Sequence, residues 1–199
     1  MKILALELST SRGSLAWLHD EIEFTREWPN DRKNSAVFFE NLQAVRRKFG
    51  APETIVVGLG PGSYAGTRIA ISAAIGIQLS CDAQLIGHPS ICAMECDAQE
   101  YCAIGDARRK SFFFARILEN EVIEGPMLLS ELELKAKLES LDPATLVFSS
   151  ELLPQFHRPL ISFPSALLLA RLAKESRRSF CLPPLEPIYL REPHITMPK

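Results

Sequence analysis

The groups best placed by type and spacing to handle a phosphate are one carboxylate, a glycine-rich turn and a single arginine. Glu7 ends the apolar run Ile3–Leu8 and faces the turn Ser9-Thr10-Ser11. A carboxylate there can hold a metal–phosphate in a cleft, or can simply be hydrogen-bonded at a strand end. Gly58, Gly60, Gly62 and Gly66, with Pro61 among them, follow the β-branched run Ile55-Val56-Val57 and precede a helix of small residues. Backbone N–H groups at such a helix start can bind an anion, and the same glycines can serve only to set the helix angle. Both readings stay open, and Glu7, Gly60, Gly62, Ser63 and Arg68 are the candidates for phosphate or nucleotide contact.

Other chemistries find less support. Gly60-Pro61-Gly62-Ser63-Tyr64-Ala65 satisfies a relaxed dinucleotide pattern, but the acidic partner Asp82 precedes the following strand instead of ending it. No Gly-Lys-Ser or Gly-Lys-Thr follows the glycines, so a Walker loop is excluded. Ser63 lacks the G-x-S-x-G setting of a nucleophile, and His19, His88, His157 and His194 have neither H-x-x-x-H nor H-E-x-x-H spacing. Five cysteines without a C-x-x-C pair argue for reduced, mostly buried thiols, with neither a disulfide framework nor a zinc site. With 22 basic and 24 acidic residues the net charge is −2, too balanced for a chain that coats itself in nucleic acid. The turn Asp106-Ala107-Arg108-Arg109-Lys110 is charged enough to touch phosphate or a partner's acids, and equally is an ordinary solvated hairpin turn. The first residues lack the pattern of a secretory signal, and no later run has the eighteen or so apolar residues of a membrane helix, so a cytoplasmic protein is expected.

These groups must be positioned by an α/β framework. Ile3–Leu8, Ser14–Leu18 and Glu21–Trp28 read as an antiparallel meander. Asn34 or Ser35 caps a helix in which Val37, Phe38, Leu42, Val45 and Phe49 recur at helical spacing until Gly50 and Pro52. A buried strand at 55–57 leads through the glycine turn to a helix over Thr67–Ser80, nearly free of charge beyond Arg68; such a helix needs enclosure by its own domain, by a partner, or by both. A strand over Gln84–Gly87 and a helix over Ser90–Gln99 complete a first lobe, residues 1–100. The second, 101–199, is expected to echo it. Its strands are Tyr101–Gly105, Ser111–Leu118, Glu121–Ile123 and Thr145–Phe148, with helices over Ser130–Leu141 and Ser165–Glu175. The proline-rich tail from Cys181 reads as extended, with Glu186–Arg191 docked across the body.

ILALELST near the start, GLGPGSYAGTRIAISAAIG, IGHPSICAM, IGDARRKSFFFA and EPIYLR near the end resemble, in order and spacing, the TsaB (YeaZ) family. The resemblance implies an α/β, actin-like fold (ASKHA, related to sugar kinases and Hsp70) of two βββαβα-type lobes. It also implies a non-catalytic role in threonylcarbamoyladenosine (t6A) modification of tRNA beside the anticodon. In that family catalysis belongs to a TsaD-like paralogue, a TsaE-like ATPase brings ATP to the complex, and tRNA is reached through the complex. The chain departs from the family pattern at Glu7 (usually Asp), Asn34-Ser35 (often His-Ser), Ala65 (usually Thr) and Lys110-Ser111 (usually Gly-Glu). If the family arrangement carries over, Phe38, Leu42 and Val45 on the first helix and Ile69, Ala73 and Ile77 on the second form the partner interface, which a homodimer could occupy in isolation. The alternative is a small ATP-binding kinase or ATPase of the actin-like superfamily.

Overall fold

The structure is a computed structural model and describes residues 1–30, 35–175 and 179–191. Asn34, Pro193, His194 and Pro198 lie outside the described residues.

Alternating side chains decide how the first sheet is covered. Its strands are β1 (Lys2–Glu7), β2 (Arg12–His19), β3 (Ile22–Pro29), β4 (Thr54–Gly58) and β5 (Gln84–His88), in the order β3-β2-β1-β4-β5. The meander β1–β3 is antiparallel, and β4 and β5 join it in parallel. Because successive residues of a strand point to opposite faces, Leu4 and Leu6 go one way with Leu15, Trp17, Ile55 and Val57, while Ile3 and Ala5 go the other with Ala16, Leu18 and Val56. Both faces are apolar, so both require helices. On the first lie α1 (Ala36–Phe49) and α2 (Tyr64–Cys81), which bury Phe38, Leu42, Val45, Ala70, Ile71, Ala74 and Ile77. Trp17 stacks on Phe49 with ring centroids 5.4 Å apart.

The second face is closed from an unexpected direction. Helix α4 (Ala166–Lys174), assigned by sequence to the second lobe, packs on the first sheet through Ala166, Leu169, Ala170 and Leu172. The Ala166 N–H donates to Ser14 Oγ at 3.0 Å, and Arg171 pairs with Glu23.

The second sheet has the order β8-β7-β6-β9-β10, from β6 (Glu100–Asp106), β7 (Ser111–Leu118), β8 (Glu121–Ser130), β9 (Leu146–Ser149) and β10 (Leu160–Ile161). The expected echo is therefore present: three antiparallel strands, then two in parallel. Helix α3 (Glu131–Ser140) sits between β8 and β9, its start fixed by a capping box in which Ser130 and Glu133 satisfy each other's backbone N–H. Leu134 and Leu138 cover Cys102, Ile104, Phe114 and Val147. Burial pushes the Cys102 thiol up to about 11.

Three expectations are corrected. The third strand of the second lobe spans ten residues, not three, because Gly125 and Pro126 sit on an edge strand beside an irregular register, where a missing N–H is tolerated. Helix α2 starts at Tyr64, three residues early, since Ser63 accepts from the Gly66 N–H and caps it. The helix expected over 90–99 is only a 3-10 turn, Ser90–Ala93. Beyond it the backbone bonds elsewhere: Met94 bridges to Pro164, and the Glu95 N–H donates to the Phe163 carbonyl. Ile91, Cys92 and Met94 enter the core beneath Tyr101, Ala103 and Phe113, so this segment joins the lobes.

Candidate functional site

Two surfaces could carry function: the cleft between the lobes and the outer face of α1 and α2.

The cleft encloses about 480 Å³. Ser9, Thr10 and Ser11 come from the β1–β2 turn, Pro61, Gly62 and Ser63 from the glycine turn, Asp106 and Arg108 from the β6–β7 turn, and Ser150 and Glu151 from the end of β9. Its remaining wall is the C-terminal strap. Cys181 pairs with Gly87, the Ile188 N–H donates to the Leu59 carbonyl, Tyr189 lies 5.2 Å from Tyr64, and Leu190 packs into the second lobe's core. The expected docking of Glu186–Arg191 across the body is thus present.

The charges in the cleft are mostly paired. Asp106 Oδ1 accepts from the Arg108 N–H at 2.6 Å and Oδ2 from Arg108 Nη1 at 3.0 Å, while the Asp106 N–H donates to Glu151 Oε1. Two shielded polar atoms, Ser9 Oγ and Arg191 Nε, have no partner among the described residues. Arg108, Arg109 and Lys110 all have positive φ, and Lys110, at +59°, stands where the family has glycine.

The sequence candidates divide. Gly62 and Ser63 line the cleft, but the Ser63 N–H already donates to the Ser9 carbonyl at 2.6 Å, and a side chain on Gly62 would collide with that oxygen. A backbone carbonyl therefore occupies the space in front of the loop, and one N–H that an anion would need is taken. Gly60 is used structurally, its N–H donating to Ser90 Oγ and its carbonyl accepting from the Ser90 N–H. Arg68 lies outside the cleft, on the exposed face of α2, where Nη1 bonds Tyr64 Oη at 2.7 Å. Asp82 closes the far end of α2 in a left-handed conformation, too distant in the fold to serve the glycine loop.

Glu7 is corrected most clearly, because it does not line the cleft at all. It is fully buried, with Oε1 accepting the Ser9 N–H at 2.6 Å and Oε2 set against Gly58, the one residue type that leaves room there. Burial pushes its carboxyl above the usual range, only partly offset by the Ser9 and Ser90 groups around it. Buried beneath the floor and bonded to the Ser9 backbone, Glu7 is absent from the cleft's lining.

The helix face is likewise revised. Phe38 and Val45 are 2% and 1% exposed and belong to the lobe's own core, because the stripe that suggested an interface is the one facing the sheet. Leu42 and Ile77 are also buried, though they floor a groove of about 380 Å³ between the helices. Ile69 and Ala73 are half-buried. What the helices present outward is Phe39, Ile75 and Leu79, 49%, 40% and 82% exposed. Phe39 falls outside the helical stripe of Val37, Phe38, Leu42, Val45 and Phe49, and Ile75 and Leu79 belong to the nearly uncharged helix whose composition calls for enclosure.

Residues 35–130 match the family model TsaD: tRNA N6-adenosine threonylcarbamoyltransferase. No curated protein matches the chain. Among solved structures, the chain is similar to one described as an uncharacterized protein with similarity to peptidase YeaZ from Pseudomonas aeruginosa (22% identity, TM-score 0.75, covering 96% of this chain and 99% of that one). It is also similar to YeaZ from Pseudomonas aeruginosa (21% identity, TM-score 0.69, 87% and 90% covered). The two structural matches show that the chain shares the α/β, two-sheet fold of the YeaZ structures. Among the described residues no group of three or more His, Cys, Asp and Glu side chains could hold a metal ion, and no helix is long and apolar enough to cross a membrane.

Proposed function

We propose that the chain is a non-catalytic subunit of a cytoplasmic t6A-modifying complex, in which it binds and activates a TsaD-like paralogue. A TsaE-like ATPase supplies the ATP step, and tRNA is engaged through the complex. The observation that carries this reading is the match over residues 35–130 to a threonylcarbamoyltransferase family, in a chain whose Glu7 is buried beneath the cleft and whose glycine loop faces a backbone carbonyl. The partner surface is the outer face of α1 and α2, where Phe39, Ile75 and Leu79 leave apolar area that the lobe does not use. Ile69 and Ala73 border it.

Co-purification with the TsaD-like protein of the same organism, followed by light scattering and mass spectrometry of modified tRNA, tests the proposal. A heterodimer that forms t6A with a TsaE-like ATPase and loses both properties in Phe39→Asp/Leu79→Asp is expected. Failure to associate when both chains are folded would overturn it. A second reading, an actin-like kinase or ATPase, is favoured only by the 480 Å³ cleft and its unpartnered Ser9 Oγ and Arg191 Nε. ATP turnover by the purified chain alone would establish that reading.

A further inference from the structure

The rim between the cleft and the outer surface carries two tyrosines and two arginines. Tyr64 opens α2 and Tyr189 belongs to the C-terminal strap; their ring centroids are 5.2 Å apart, with the planes tilted by 37°. Arg68, one turn further along α2, lays its guanidinium 5.1 Å from the Tyr64 centroid and donates from Nη1 to Tyr64 Oη. Guanidinium and rings form one layered stack, held on one side by the helix and on the other by the Ile188 N–H, which donates to the Leu59 carbonyl. The stack stays open to solvent, with Tyr64 and Tyr189 46% and 43% exposed. Both rings line the cleft, and both also line a second hollow of about 350 Å³ on its outer side, with Arg68 and Glu186 among the walls.

The two arginines are not neutralised. Arg68 makes no ion pair with Glu186 or with any other described residue, and Arg191, on the cleft side, has its Nε shielded without an acceptor. The cleft's acids are engaged elsewhere, Asp106 by Arg108 and Glu151 by the Asp106 N–H. Aromatic faces with an available cation on either side suit a polymer that alternates flat bases with anionic phosphates. A single phosphate or an acidic peptide would leave the rings unused, and a duplex hides its base faces. We propose that the Tyr64–Tyr189 rim is a stacking platform for an unpaired base of single-stranded RNA, with Arg68 and Arg191 taking the phosphates on either side. The inference rests on the reading above for the class of nucleic acid, and it adds where this chain touches it.

Fluorescence anisotropy tests this by titrating an unstructured labelled RNA of about ten nucleotides with the full chain alone at low salt, circular dichroism confirming that each variant is folded. The expected results are a micromolar dissociation constant for the single strand and roughly tenfold weaker binding of a duplex of the same length. Tyr189→Ala should raise the constant roughly tenfold, Tyr189→Trp should bind as wild type, and Arg68→Gln should make the log–log salt dependence shallower by about 0.7. Arg109→Ala/Lys110→Ala, in the β6–β7 turn, should bind normally. No binding at about 100 μM chain, equal affinity for the duplex, an unchanged constant in Tyr189→Ala, or a loss confined to Arg109→Ala/Lys110→Ala would each overturn it. Because no TsaD-like protein is present, such a failure leaves the functional reading intact. RNA binding as expected by a chain that associates with no TsaD-like protein supports this inference and defeats that reading.

Discussion

The two lobes share a strand order but not a way of covering it. The first sheet is enclosed by α1 and α2 on one face and by α4 on the other, whereas the second has α3 on one face and the 90–94 segment of the first lobe on the other. Between β4 and β5 the chain makes the eighteen-residue α2; between β9 and β10 it makes no helix, and β10 is two residues long. The lobe that contributes the candidate partner face is thus the fully layered one, and it depends on a helix from the far end of the chain. Equal topology does not make the lobes separable units.

The most severe way to break this comparison is to express residues 1–100 alone. The face of Ile3, Ala5, Ala16, Leu18, Val56 and Ile86 would lose α4, and the fragment is expected to aggregate or lack dispersed amide resonances. A well-folded fragment would show that the lobes are independent. Next, Phe38→Asp should destabilise the chain by at least about 4 kcal/mol, since it removes a core aromatic and buries a carboxylate. Phe39→Asp, one residue along on the exposed side, should change urea stability by less than about 0.5 kcal/mol while abolishing assembly. Equal losses in the two variants would mean that α1 sits differently.

Glu7 offers a pH test of the same lobe. Its folded pKa lies above the ordinary carboxyl value because burial disfavours the charged form. Relative to the unfolded chain, the native state therefore holds this proton more tightly. The associated stability is fully present below the unfolded pKa and is lost as pH rises through the folded one. Glu7→Gln should remove that component, so urea midpoints of wild type and variant should diverge from the mid-4 range upward, with the variant less sensitive to pH. Parallel curves would mean that Glu7 is charged in the fold. The smallest effect belongs to the second lobe, where Ser130→Ala breaks the capping box of α3 and should cost about 1 kcal/mol in urea melts.

Periodicity made most of the elements legible. The meander at the start, the glycine turn and the repeat of Phe38, Leu42 and Val45 each signalled their structure locally. The same repeat misled about the site: a helical stripe reports that a face is buried, but not whether a sheet or a partner buries it. Glu7 was misread for a related reason. Its type and its place at a strand end suit a cleft, and only the approach of Gly58 and Ser90 closes it off. The segment after Pro89 has helix-compatible residues, yet its backbone groups find partners at Phe163 and Pro164, some seventy residues away.

By itself the sequence determined the α/β class, the two echoing lobes and the glycine turn before α2, because these rest on side-chain alternation, helical spacing and backbone freedom within a few neighbours. Tertiary structure alone decided that α4 returns to the first sheet, that Glu7 lies beneath the cleft and that Phe39 rather than Phe38 faces outward. Those outcomes depend on which surfaces meet after long stretches of chain have folded back, and local patterns carry no record of distance in space.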